Sequence, residues 1–401
     1  MLMMVLMWSR YRQSLSLGAS SDSSLAVLDS GSSSTRSSTG SSSGSSVNSS
    51  EPSALLGPLD AANTLQFDVC NGFTNQRIAL MSGLVLAAET NRSVVLPDWL
   101  LRGYMPDAVK YVTADDGGAV PFGEWFDVDA FATALAAHGV RVVAGKAAEP
   151  WNVLINAYDS QSKVNAIVAF LRKKRVRQHI KINCPAFRLP GALMARHEAM
   201  LRAAAEALRP APRFAALIEA RRRAVAAASG TEGYNLLHLR VEKDWLALCE
   251  WWQNPTEGRD NCMNNTATVG RQLRRLGFPR EVPLVVVTSF PDAIPEALSA
   301  TLKNIRDHKY QAVLGSELAG GAELSREESA LVDYYLGLQA DKFIGNSVST
   351  FTAFIILERQ WLGRPAYHYN GGHIPLELFF PFYAKDNATA AVPEAAGSSQ
   401  T

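Results

Sequence analysis

The sequence predicts a two-domain α/β protein whose parallel sheets are covered by helices on both faces, and three observations carry that expectation. Its 401 residues are more than one hydrophobic core ordinarily supports. Hydrophobic residues make up 47% and charged residues 19%, a globular balance with enough apolar surface for two cores. Short β-rich runs alternate with helical patterns, the order that yields parallel strands with ligands outside their carboxyl ends.

Residues 1–57 are expected to be a disordered Ser-rich leader or stem, because such a composition cannot bury enough apolar area to offset its ordering entropy. Residues 1–8 are apolar but shorter than the roughly 20 residues that span a bilayer. Arg10 and Arg12 follow that run instead of preceding it, so no clear signal is read there. A membrane connection is expected only if an upstream anchor is missing, with residues 1–8 as its remnant.

Next come strands at 65–70, 93–96 and 139–143 and helices at 74–90 and 190–229. Gly230 and Gly233 interrupt the pattern and divide the chain into halves at 58–232 and 233–385. The second half reads as strands at 234–240, 283–289 and 342–344 with helices at 292–303, 326–340 and 350–362. Residues 386–401 are small and polar and read as a disordered tail. Repeats of solenoid length are absent.

With 39 Lys plus Arg against 38 Asp plus Glu, the formal charge of +1 provides no global field for nucleic acid or an acidic membrane. Any anion site is therefore local. The basic runs Lys173, Lys174, Arg175, Arg177 and Arg221, Arg222, Arg223 read as solvated helix faces. The cysteines, Cys70, Cys184, Cys249 and Cys262, form no zinc-finger spacing. Cys249 and Cys262 bracket a loop rich in Trp, Asn, Pro and Gly that a bridge between them would rigidify, one of three possible pairings. Asn48, Asn91, Asn264 and Asn387 each open an Asn-x-Ser/Thr sequon, compatible with a secretory route.

Three segments could carry chemistry. Asn71-Gly72-Phe73-Thr74-Asn75-Gln76-Arg77 lies between a strand and a helix, where free backbone N–H groups and the helix dipole favour an anion. Its amides can bond phosphate oxygens or sugar hydroxyls, whereas a plain capped helix start is the structural alternative. One glycine and no Gly-Lys-Ser/Thr disfavour a dinucleotide fingerprint and a P-loop.

The second segment ends a strand with His238 and Arg240, which a period of two places on one side. An Arg fork suits a diphosphate that gains negative charge on leaving. Glu242, Asp244 and Trp245 follow, so Asp244 either pairs with Arg240 or orients an acceptor hydroxyl. The third segment, 341–351, is a short strand, a Gly345-Asn346 turn and a helix opened by Ser349 and Thr350, which can cap that helix or bind phosphate. One helix earlier, Asp333 could accept from N1 and N2 of guanine, a pairing that adenine lacks; a helix-surface carboxylate is the plain alternative.

Together these segments resemble the GDP-fucose protein O-fucosyltransferase superfamily: Gly72 with Asn75-Gln76, then His238 with Arg240, then Ser349-Thr350-Phe351-Thr352. The stretches 238–245 and 340–358 look most like the enzymes that fucosylate EGF-like repeats, with plant and algal relatives close behind. The resemblance covers most of 67–359. It implies a GT-B fold of two Rossmann-like domains, GDP-fucose as donor, inversion at the anomeric carbon, a glycoprotein or glycan acceptor, no cofactor and no obligatory metal. The first half would face the acceptor and the second would hold the sugar nucleotide.

Carried over by residue, Arg240, Asn75 and Asp244 would be catalytic. Asn71, Gly72, Phe73, Asn75, His238, Arg240, Asp333, Ser349, Thr350 and Phe351 would bind the donor. The ER or Golgi lumen is what the family suggests. Relatives commonly open the first loop with paired Gly where this chain has Asn71-Gly72. A rhamnosyltransferase of the same fold and a non-catalytic glycan or sugar-nucleotide binder remain alternatives. The acceptor is not legible, and Trp99, Trp125, Trp251 and Trp252 fit equally as core or as sugar-stacking platforms, with core favoured for most of them.

Overall fold

The computed structural model describes residues 63–103, 118–143, 153–156, 164–173, 179–185, 191–242, 268–289, 293–318 and 324–370. The leader, the tail, Lys174, Arg175, Arg177, Asp244, Trp251, Trp252, the Cys249/Cys262 pairing and the sequons at Asn48, Asn264 and Asn387 lie outside them.

In the first half, β1 (Thr64–Asp68) leads into α1 (Phe73–Thr90), followed by β2 (Ser93–Val95) and an antiparallel pair, β3 (Trp99–Leu100) with β4 (Ala119–Val120). Then come α2 (Val128–Ala136), β5 (Val142–Val143), β6 (Val153–Asn156), α3 (Val164–Lys173) and β7 (Ile180–Asn183). The helical stretch 190–229 is three helices: α4 (Gly191–Arg196), α5 (Glu198–Ala207) and α6 (Pro212–Ser229). The Ala-rich pattern runs on through the gap, but Pro210 and Pro212 lack the N–H that a continuous helix needs, and Pro212 restarts it at the tolerated first position.

The second half runs β8 (Asn235–His238), α7 (Val269–Arg275), β9 (Leu284–Val287), α8 (Pro295–Asp307), β10 (Ala312–Leu314), α9 (Arg326–Gln339), β11 (Phe343–Gly345), α10 (Thr350–Trp361) and β12 (Ala366–His368). Sheet one has the order β5-β2-β1-β7-β6 and sheet two β10-β9-β8-β11-β12, and every pairing within them is parallel. Both are doubly wound from a central first strand, so each reverses direction beside that strand, at β1/β7 and at β8/β11. Crevices at such switch points are where open α/β sheets bind ligands.

Alternation along β8 sends Leu236 and Leu237 to opposite faces of sheet two. Leu237 joins Val286 and Ile344 in an outer core, whereas Leu236 and Phe343 belong to a core continuous with Leu65 and Phe67 of sheet one. The continuity runs through α1, which packs on β1 and also on α9 and α10. A helix with neighbours on both sides is apolar all round, and 14 of the residues of α1 are buried. Trp99 and Trp125 stack on each other within this core.

Candidate active site

All three sequence segments end at the switch points. Asn71 and Gly72 follow β1, His238 closes β8 with Arg240 two residues beyond it, and Ser349 and Thr350 follow β11. In sheet one the crevice is bridged covalently: Cys70, after β1, is disulfide-bonded to Cys184, after β7, across a separation of 114 residues. Local spacing gives no hint of that pairing. Asn71, next to the bridge, and the bridged Cys184 both adopt left-handed backbone (φ 62° and 48°), a region in which asparagine is tolerated better than most residues.

The first N–H of the helix that follows the first loop is taken by the protein's own carboxylate. The N–H of Phe73, first residue of α1, donates to Glu327 Oε2 at 2.6 Å, and that of Gln76 donates to the Gly72 carbonyl. Glu327 comes from α9, whose capping box between Ser325 and Glu328 fixes the start of that helix. A carboxylate of the protein's own second half thus sits where sequence reasoning expects a phosphate. The Phe73 ring lies in the core against Trp99 and Tyr334. Asn75 remains half-exposed at the cleft, its Oδ1 accepting from the Thr350 hydroxyl at 3.3 Å.

Gly103 secures this corner. A Cβ there would stand 1.7 Å from the Asn71 carbonyl oxygen, so only glycine allows the two backbones to approach. Gln76 ties the same segments together, donating to Asn71 O and accepting from the Leu100 N–H at 2.9 Å.

His238 is buried. Its Nδ1 lies 2.8 Å from Thr352 Oγ1 and its ring 4.6 Å from that of Phe351, which joins the second segment to the third. Burial, with Arg240 adding to it, pushes the imidazole down to about 3, so it is neutral at physiological pH. Arg240 is partly exposed, and its Nε lies 3.3 Å from Glu242 Oε2. Glu242 is buried and accepts from the Thr288 hydroxyl at 3.1 Å and the Ser289 N–H at 2.9 Å. Glu242 is thus one partner of Arg240, and Asp244, the other carboxylate the sequence offers it, lies outside the described residues.

Ser349 stands at the N-cap of α10 with no cap bond from its side chain, leaving its hydroxyl and the helix start available to an anion. Thr350 also lies 3.0 Å from Thr74, so the openings of α1 and α10 touch. Asp333 is buried and paired with Arg221 of α6 at 3.0 Å, neither a helix-surface carboxylate nor one free of protein partners. Arg221 is accordingly no solvated basic residue, unlike Arg222 and Arg223, which pair with Glu219 on the exposed face of α6. Burial pushes the Asp333 carboxyl up to about 6 against the pull of Arg221. Arg77, Glu327 and Glu358, buried where the halves meet, have no sequence signal beyond their charge.

Among the described residues, no cluster of His, Cys, Asp or Glu could hold a metal ion, and no helix is long and apolar enough to cross a membrane. Asn91, whose sequon is described, is exposed at the end of α1.

A family model described as GDP-fucose protein O-fucosyltransferase matches residues 65–362. O-fucosyltransferase 23 of Arabidopsis thaliana is 28% identical over 131 residues, which cover 31% of this chain and 28% of that relative, so the match spans little more than a quarter of the relative's length. The crystal structure of POFUT1 in complex with GDP-fucose superposes with a TM-score of 0.50 at 16% identity, covering 78% of this chain and 99% of that one. The apo form of POFUT1 gives the same figures, a likeness of fold.

Proposed function

The chain belongs to the GDP-fucose protein O-fucosyltransferase family, with a GT-B fold of two Rossmann-like halves, and from that membership we propose that it transfers fucose from GDP-fucose, with inversion, to a Ser/Thr hydroxyl of a protein. The observation that carries the reading is the meeting of the three family segments at one cleft: Thr350 bonds Asn75 across the halves, and His238 bonds Thr352 beside it.

In this reading residues 233–385 hold the donor and residues 58–232 face the acceptor. The diphosphate lies at the start of α10 against Ser349, Thr350 and the backbone of Phe351, with the Arg240 fork on its leaving oxygen. The acceptor oxygen attacks the anomeric carbon from the face opposite GDP. The bond from that carbon to the β-phosphate oxygen breaks, and its electron pair departs with GDP, where Arg240 stabilises the growing charge without a metal cofactor. Neutral His238 is too weak a base to take the hydroxyl proton, which passes to water or the departing phosphate; its task is to hold nucleotide and sugar. Asn75 orients the sugar at the seam, Asn71 and Gly72 line its acceptor side, and Asp333 reads guanine. Asp244, beyond the described residues, is assigned to the acceptor or ribose side. The Cys70–Cys184 bridge supports a place in the secretory lumen, where disulfides persist.

Calorimetric titration with GDP, UDP and ADP, without added metal, tests the reading. Selective GDP binding is expected. A UDP preference would point to a transferase of another deoxysugar, and GDP binding without turnover of GDP-fucose to a silent binder.

A further inference from the structure

A chain of alternating charges runs from Arg240 to the first loop. Arg240 meets Glu242, which accepts from the Ser289 N–H. The Ser289 hydroxyl accepts from Arg326 Nε at 2.9 Å, and Arg326 Nη1 lies 3.2 Å from Glu327 Oε1. Glu327 then accepts from the Gly103 N–H with Oε1, at 3.1 Å, and from the Phe73 N–H with Oε2. Its side chain is buried, and each carboxylate oxygen receives a backbone donor from the opposite half.

We propose that Glu327 is a positioning residue that holds the 71–73 loop, and with it Asn75, in register with Arg240. The inference rests on the donor reading above for the role of Arg240. A carboxylate fits the task because both oxygens accept, whereas an amide would turn an N–H donor toward one of the two backbone N–H groups. The neighbouring Arg326 and the start of α1 favour its charged form there, against burial that pushes the carboxyl up. None of the described bonds of Glu327 goes to Arg240 or to the start of α10, so the nucleotide's contacts at Ser349 and Thr350 do not run through Glu327 directly.

The test uses the full chain carrying Glu327→Gln. GDP affinity should stay within about threefold of wild type, while GDP release from GDP-fucose per GDP-binding site falls about tenfold to a hundredfold, the scale of a misplacement near 1 Å. Arg326→Met, which leaves both backbone bonds of Glu327 in place, should lower turnover in the same sense with KM for donor unchanged; it serves if the first variant does not fold. Turnover per site equal to wild type with a lowered Tm would overturn the proposal and leave Glu327 as interface glue. A wild-type chain that binds no GDP would sink the donor reading instead. Hydrogen exchange then decides the hold itself: the Phe73 and Gly103 amides should exchange at least about tenfold faster in Glu327→Gln, and unchanged protection would overturn it.

Discussion

The Arg77 guanidinium of α1 reaches across the seam between the halves to the Glu358 carboxylate of α10, and both groups are buried. The Tyr334 ring lies 4.7 Å from the same guanidinium. Burial alone would lower the arginine, but the Glu358 charge together with Tyr334 and Tyr335 outweighs it and keeps Arg77 protonated. The two helices that open at the cleft are thereby fixed to each other one turn or two behind the site.

Removing one member of that pair strands a buried charge. Glu358→Ala should cost about 3–5 kcal/mol, whereas the double replacement Arg77→Met, Glu358→Met should cost markedly less. Denaturant unfolding of both variants checks this, and equal losses would mean that the pair itself contributes little beyond packing.

The Arg240 side chain is 20% exposed, and Glu242 retains two donors without it. Arg240→Ala should therefore keep a Tm within a few degrees of wild type while turnover of GDP-fucose falls about 10²–10³-fold. Arg240→Lys should recover little, since a point charge does not reproduce the fork. Wild-type turnover in Arg240→Ala would remove Arg240 from the mechanism.

His238 bears on pH dependence. Its folded value of about 3 lies below the 6.5 of an ordinary histidine, so between those values the unfolded chain holds a proton that the folded chain does not. The stability it contributes is complete above pH 6.5 and lost as pH falls toward 3, at about 1.4 kcal/mol per pH unit. His368, held down to about 4 by burial, acts in the same sense, and Asp333, raised to about 6, acts in the opposite sense. Both remain in His238→Asn, so they cancel in a comparison. Unfolding from pH 6.5 to 4.5 should show wild type losing roughly 2.3 kcal/mol more than that variant; parallel curves would mean that the imidazole is solvated.

The Cys70–Cys184 bridge closes a long loop at the base of the first segment. Replacing both cysteines by serine, or adding reductant, should lower stability by about 2–5 kcal/mol. GDP affinity, which the proposed function seats in the other half, should change by less than about threefold. Calorimetric scans with and without reductant check the first figure, and titration the second.

What the sequence made legible was local. The turn after β1, the His238/Arg240 strand end and the Ser349–Phe351 helix start each declare themselves within a few residues, and all three lie at the switch points. The strands β3 and β4 are only two residues long in the fold, too short to show a period, whereas β5 falls inside the strand expected at 139–143. The break at Pro210 was hidden by Ala-rich runs on either side. Long-range partners were out of reach: nothing near Arg221 marks Asp333 as its counter-ion, nothing near Cys70 marks Cys184, and Glu327 resembles any acidic first-turn residue until α9 is packed against α1.

Asp333 offers the sharpest separation of a structural from a recognition role. Arg221 engages its Oδ1, so the Oδ2 edge is the one that two guanine N–H donors would meet. Asp333→Asn keeps an acceptor for Arg221 but turns an N–H toward the base and removes the charge that the buried guanidinium meets at Oδ1. Loss of the ion pair alone should lower Tm and leave the ratio of GDP to ADP affinity unchanged. If Asp333 reads guanine, GDP affinity should fall at least about tenfold and that ratio collapse toward one, because a lost bidentate contact to a base edge is worth about 1–3 kcal/mol. Parallel titrations with GDP and ADP decide between them, since a fold merely weakened would bind both nucleotides less well in equal measure.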